Sequence, residues 1–144
     1  MILKDPPAVD KCGKCGSNGE TIQHILNGCA QLVTSEYKNR HDAVGRILHQ
    51  EIMKRIVGES QGMPYYKYDP ESTVETDCYR IYWDRTVRTD REAIHNRPDI
   101  IVFNKLNKTA QLIDVALPST HNVKSTYEKK KRKYVEVSKE IRKI

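Results

Sequence analysis

The chain has 144 residues, a formal net charge of +6 and 38% hydrophobic residues. That length accommodates one ordinary domain, or a small domain beside a metal-stapled module, and the apolar fraction allows only a modest core. There is no apolar run of about 18 residues to cross a membrane, and Met1-Ile2-Leu3-Lys4-Asp5-Pro6-Pro7 lacks the apolar stretch of a secretory leader. The basic balance, with pI ≈ 9.1, favours a polyanionic partner, although many basic proteins bind none.

Three of the four cysteines cluster early, and Cys78 stands alone. A C-x-x-C pair in a non-secreted chain is more often a metal or redox element than a structural disulfide. Here the pair belongs to C-x2-C-x8-H-x4-C, made by Cys12, Cys15, His24 and Cys29. Three thiolates and an imidazole fill a tetrahedral zinc shell and leave no position for substrate, so the expected Zn2+ is structural. Thr21 is placed to cap the turn that carries His24, and Gly28 to stop it. The knuckle is assigned to residues 10–32, and a redox C-x-x-C is the competing reading.

Residues 35–57 carry Val44, Leu48, Ile52 and Ile56 at four-residue spacing, with Tyr37 and Ile47 nearby. An amphipathic helix is predicted, with Ser35 at its start and Gly58 at its stop. Lys38, Arg40, Arg46, Lys54 and Arg55 occupy the other face, which is solvated or contacts nucleic acid. Residues 59–75 read as a loop with an edge strand or extended stretch. Its Tyr65, Tyr66 and Tyr68 cover a core edge, with base stacking as the alternative. Residues 78–88 alternate as a strand, with Tyr79, Ile81 and Trp83 on one face, and Cys78 is expected to be an ordinary buried thiol.

The next two apolar runs, 98–104 and 109–117, flank the short polar segment Lys105-Leu106-Asn107-Lys108, the pattern of a β-hairpin. If the turn centres between Leu106 and Asn107, Asp99 lies directly opposite Asp114, with Cβ atoms about 5 Å apart. Two carboxylates so placed repel unless a cation joins them, and a hard divalent ion prefers oxygen ligands. A shifted register would leave both merely solvated. The closing segment, 125–144, is predicted as one helix whose stripe is Tyr127, Tyr134, Val137, Ile141 and Ile144. Lys130 falls on that stripe, where it either snorkels to solvent or points at the hairpin carboxylates. The other faces carry a run of Lys and Arg that is solvated or tracks phosphates.

In this order, the knuckle, Glu36-Tyr37-Lys38-x-Arg40-His41-Asp42, Trp83-Asp84, Arg97-Pro98-Asp99, Asp114-Val115-Ala116-Leu117-Pro118 and Lys130-x-x-x-Tyr134 form a recognisable set. The set resembles the carboxy-terminal part of site-specific non-LTR retrotransposon polyproteins of the rDNA-inserting type. There a zinc knuckle precedes a restriction-like endonuclease of the PD-(D/E)xK superfamily. The resemblance covers about residues 11–144.

It implies an α/β fold in which residues 35–144 form a restriction-endonuclease-like core: a helix, a three-stranded, mainly antiparallel sheet and a helix. It also implies a DNA-nicking activity whose 3′-hydroxyl product primes the polyprotein's reverse transcriptase. On this resemblance Asp99 and Asp114 hold Mg2+ or Mn2+. Lys130 replaces the lysine that the superfamily places at the position of Ala116, and Tyr134 follows one turn on. Asp90 or Glu92 could join the site. DNA, the element's RNA and the reverse transcriptase are the implied partners, and the location is nuclear after cytoplasmic synthesis. Two departures count for the rival reading, a non-catalytic nucleic-acid-binding remnant. The chain carries no reverse transcriptase, and it ends at the closing helix, where the superfamily adds a further strand.

Overall fold

The computed structural model describes residues 10–17, 19–58, 62–91 and 93–142. Contacts group into two units that divide between Arg40 and His41.

In the first unit, residues 12–17 make a tight loop. The Cys12 amide donates to the Ser17 carbonyl at 2.7 Å and the Gly16 amide to the Cys12 carbonyl at 2.8 Å. Gly16 has φ 73, a left-handed conformation that costs glycine nothing. A wide helical turn, His24–Gly28, follows. Its entry is capped as the sequence suggests, since the His24 amide donates to Thr21 Oγ1 at 3.1 Å.

Helix α1 spans Glu36–Val57. It ends at Gly58, which adopts φ 76 and donates its amide to the Lys54 carbonyl at 3.2 Å. In the second unit, strands β1 (Thr73–Glu75), β2 (Tyr79–Trp83), β3 (Ile100–Asn104) and β4 (Thr109–Ile113) form one antiparallel sheet in the order β1-β2-β3-β4. The protein is therefore α/β, with four strands rather than the expected three. The fourth, β1, is the edge strand read within residues 59–75, where the Thr73, Val74 and Glu75 backbone pairs with Tyr82, Ile81 and Arg80. The other three strands are shorter than their apolar runs suggest. β2, for example, stops at Asp84, whose φ of 47 turns the chain out of the sheet.

Ile81, Ile100 and Val102 form the buried centre on one face of the sheet, with Ile52, Met53 and Ile56 of α1 packed against them. Full burial of Ile81 and Ile100 contributes about 1.5–3 kcal/mol each. The α1 stripe is rotated from the expected one. Leu48 and Ile47 remain 38% and 41% exposed, whereas Gly45 and His49 are buried. The cause is Trp83, because a Cβ on Gly45 would lie 2.7 Å from its Cη2. His49 meets the same indole edge-on, with centroids 5.6 Å apart. Tyr68 covers a core edge there, its hydroxyl 2.7 Å from His49 Nδ1, while Tyr65 and Tyr66 are exposed. Cys78 is only half-buried.

The closing segment is not one helix. After a 3-10 turn at Thr120–Asn122, α2 spans Val123–Lys133 and α3 spans Val135–Ile141. The break is at Tyr134 (φ −104, ψ 8), whose buried side chain is hydrogen-bonded inward, with buried Val137 one turn on. Tyr127, expected on the apolar stripe, is 62% exposed. Ile144 lies outside the described residues. On the second sheet face, Ile141 lines a cleft of about 270 Å³ with Ile101, Phe103 and Tyr82.

Candidate metal and carboxylate sites

In the knuckle, one ligand atom each from Cys12, Cys15, His24 and Cys29 lies within 4.8 Å of the others. Cys12 Sγ is 3.9 Å from Cys29 Sγ, and Cys15 Sγ is 3.3 Å from His24 Nε2. A tetrahedral zinc with bonds of about 2.3 Å to sulfur and 2.0–2.1 Å to nitrogen needs edges of about 3.8 and 3.6 Å. The donor set therefore fits zinc, and the separation of the sulfurs is far beyond a disulfide bond of about 2.05 Å. All four cysteines are free thiols. Cys12 and Cys29 are buried. The Ser17 hydroxyl lies 2.9 Å from Cys15 Sγ, and hydrogen bonding from Ser17 lowers that thiol to about 6, toward the thiolate a metal requires. The Gly13 amide donates to Glu20 Oε2 at 2.8 Å and pins the loop between the first two cysteines.

The second site lies at the open end of the β3–β4 hairpin. Ile100 pairs with Ile113 and Asn104 with Thr109, so the pairing is symmetric about the Leu106–Asn107 bond. Continuing it one residue sets Asp99 opposite Asp114. At the other end, Asn104 Oδ1 accepts from the Leu106 and Asn107 amides at 3.0 Å, and Lys108 takes φ 50. Those bonds close the four-residue turn that sets the register.

Asp99 Oδ2 accepts from the Val115 amide at 2.6 Å. His41 Nε2, from α1, lies 3.2 Å from that oxygen and 3.2 Å from the Val115 carbonyl. His41 Nδ1 is 3.2 Å from Asp42 Oδ1. Acceptors therefore face both ring nitrogens of His41. On the other strand, Lys130 Nζ forms an ion pair with Asp114 Oδ2 and donates to the Val115 carbonyl at 3.2 Å. The Tyr134 hydroxyl is 2.8 Å from Asp114 Oδ1 and 3.2 Å from the Arg97 carbonyl.

Burial pushes the Asp99 carboxyl above its ordinary value. The Asp114 charge adds to this, and the Val115 amide and His41 oppose it. Burial, then the bond to Asp114, pushes Tyr134 well above the usual phenol range, so it remains a hydrogen-bond donor. The base of the excursion from β2 to β3 is held by Arg97, whose Nε and guanidinium nitrogen each lie 2.7 Å from an Asp84 oxygen. The Asp84 amide also donates to the Asp99 carbonyl at 2.7 Å.

The four hairpin-site residues read from the sequence, Asp99, Asp114, Lys130 and Tyr134, thus meet in one cluster. His41 and Asp42 were not expected there. The signal was present, because a His-Asp step on a predicted helix is a chemistry-bearing pair, but nothing local shows that it meets a hairpin more than fifty residues later. Asp90 has no hydrogen bond or ion pair to this cluster among the described residues, and Glu92 lies outside them. Comparison with protein-family models, curated proteins and solved structures yields no match.

Proposed function

We propose that the second unit is a metal-dependent DNA endonuclease of restriction-like type, and that the knuckle binds a structural zinc. The observation that carries the reading is the placement of Asp99 and Asp114 one step beyond the paired Ile100 and Ile113, in a hairpin whose register is closed by its own turn. Two adjacent carboxylates, one with its carboxyl raised by burial and by the other's charge, are a donor set that suits Mg2+ or Mn2+. When bound, such an ion polarises a phosphoryl oxygen and lowers the pKa of a coordinated water.

The chain's own residues have separable tasks. The Val115 amide and His41 Nε2 orient Asp99, and Tyr134 orients Asp114. Lys130 Nζ, already beside Asp114, is placed to bind a phosphate oxygen and to stabilise the charge that develops on it. Hydrolysis adds water across the bond between phosphorus and O3′. The water oxygen bonds to phosphorus and O3′ leaves with a proton, giving a 5′-phosphate and a 3′-hydroxyl. A 3′-hydroxyl is the primer a reverse transcriptase needs, which fits the retrotransposon resemblance. On this reading the partners are DNA, the element's RNA and a reverse transcriptase, and the site of action is nuclear.

One observation favours a non-catalytic nucleic-acid-binding remnant instead. Lys130 forms an ion pair with Asp114 and the Tyr134 hydroxyl bonds its other oxygen, so the charge of Asp114 is already compensated without an ion. Supercoiled plasmid incubated with Mg2+ or Mn2+ decides between the two. The nuclease yields open-circle product that is lost in Asp114→Ala. No product from the folded, zinc-loaded parent establishes the remnant.

A further inference from the structure

Beside the carboxylate pair runs an open groove of about 540 Å³, lined by His95, Thr126, Lys129, Lys130, Arg132 and Lys133. Thr126, Lys129, Lys130 and Lys133 recur at the spacing of one helix face, so α2 supplies one wall. His95 comes from the excursion between β2 and β3 and supplies the other. No carboxylate lines the groove among the described residues. Elsewhere in this unit Lys54, Arg80, Arg97 and Lys105 are each paired with an acid, whereas among the described residues Lys129, Arg132 and Lys133 have no such ion pair. Lys133 lies instead over the Tyr134 ring, 4.8 Å from its centroid.

Cations in the last turn of a helix also favour its C-terminal carbonyls, by about 0.3–1 kcal/mol each at an exposed site. That accounts for a basic helix end but not for a histidine on a separate segment facing it across an open channel. Lys130 belongs to both the groove and the ion pair with Asp114, so a phosphate in the groove borders the carboxylates.

We infer that this groove is the track for the phosphate backbone of duplex DNA, with Lys129, Arg132, Lys133 and His95 holding successive phosphates and Lys130 passing the strand to Asp99 and Asp114. The inference rests on the nuclease reading for its direction along the groove, while the binding itself does not require cleavage. Duplex DNA presents one charge per roughly 1.7 Å of its axis, a density that a channel of closely spaced cations complements.

The test is fluorescence anisotropy on a labelled duplex of about 20 base pairs across a salt series. No divalent ion is added and no chelator is used, so the knuckle keeps its zinc. Removing three phosphate contacts in Lys129→Ala/Arg132→Ala/Lys133→Ala should reduce the slope of log K against log salt by about 2–3, at about 0.9 per contact. The charge-retaining variant Lys129→Arg/Arg132→Lys/Lys133→Arg should keep the parent slope, which separates lost charge from lost fold. Lys67→Ala/Arg85→Ala/Lys108→Ala removes equal charge from other exposed positions and should also keep it. An unchanged slope in the alanine variant, or tighter parental binding to single-stranded RNA or heparin than to duplex, overturns the inference. Plasmid nicking distinguishes the two readings. Nicking with an unchanged slope refutes the track and leaves the nuclease, and a reduced slope without nicking leaves the track and refutes the nuclease.

Discussion

His49 makes the fold acid-sensitive by an amount that follows from its surroundings. It is fully buried between Trp83 and Tyr68, and burial lowers its pKa from 6.5 to about 4. The unfolded chain therefore binds more protons than the folded one between these values, so stability rises with pH there. The contribution is complete above about pH 6.5 and is lost as pH falls toward 4. With about 1.4 kcal/mol for each tenfold change in proton binding, the loss is about 2 kcal/mol at pH 5 and about 3 kcal/mol at pH 4. For a unit of this size that corresponds to roughly 10–20 °C in Tm. Other groups titrate over the same range, so the measurement is a difference. Urea unfolding of the parent and of His49→Gln, which can still bond Tyr68 but does not titrate, is followed from about pH 7.5 to pH 4.5. The parent should lose about 2.5 kcal/mol more than the variant over that range. Parallel profiles would refute the reasoning, as would an imidazole resonance for His49 that titrates near its ordinary value of about 6.5.

Lys130→Ala should destabilise the second unit by about 2 kcal/mol in urea, less than the 3–5 of a fully buried pair because the lysine is partly exposed. Millimolar Mg2+ should then stabilise the variant more than the parent, since it replaces the missing charge between Asp99 and Asp114. Native mass spectrometry should find one zinc per chain, and Cys29→Ala should lose it while the near-ultraviolet signal of Trp83 in the second unit persists. Gly45→Ala should lose about 1 kcal/mol net, because overpacking against Trp83 costs about 1–3 and outweighs the helix propensity gained, about 1. An increase in Tm would show that the indole moves freely.

Features governed by near neighbours along the chain are legible in the amino-acid sequence alone. The hairpin register follows from two apolar runs placed symmetrically about Leu106 and Asn107, and the turn that closes it lies within four residues. The four knuckle ligands are likewise within 18 positions, and Gly58 stops α1 by its own backbone freedom. Long-range packing decided the rest. Four-residue spacing marks an apolar face on α1, but the bulk of Trp83 selects Gly45 and His49 for burial instead of Leu48. Heptad spacing through 127–141 reads as one helix, yet it breaks at Tyr134, whose hydroxyl is held by Asp114 and the Arg97 carbonyl. Only the tertiary structure brings His41 to Asp99, because local periodicity records which side a residue faces, whereas a side chain's partner depends on which segments pack together.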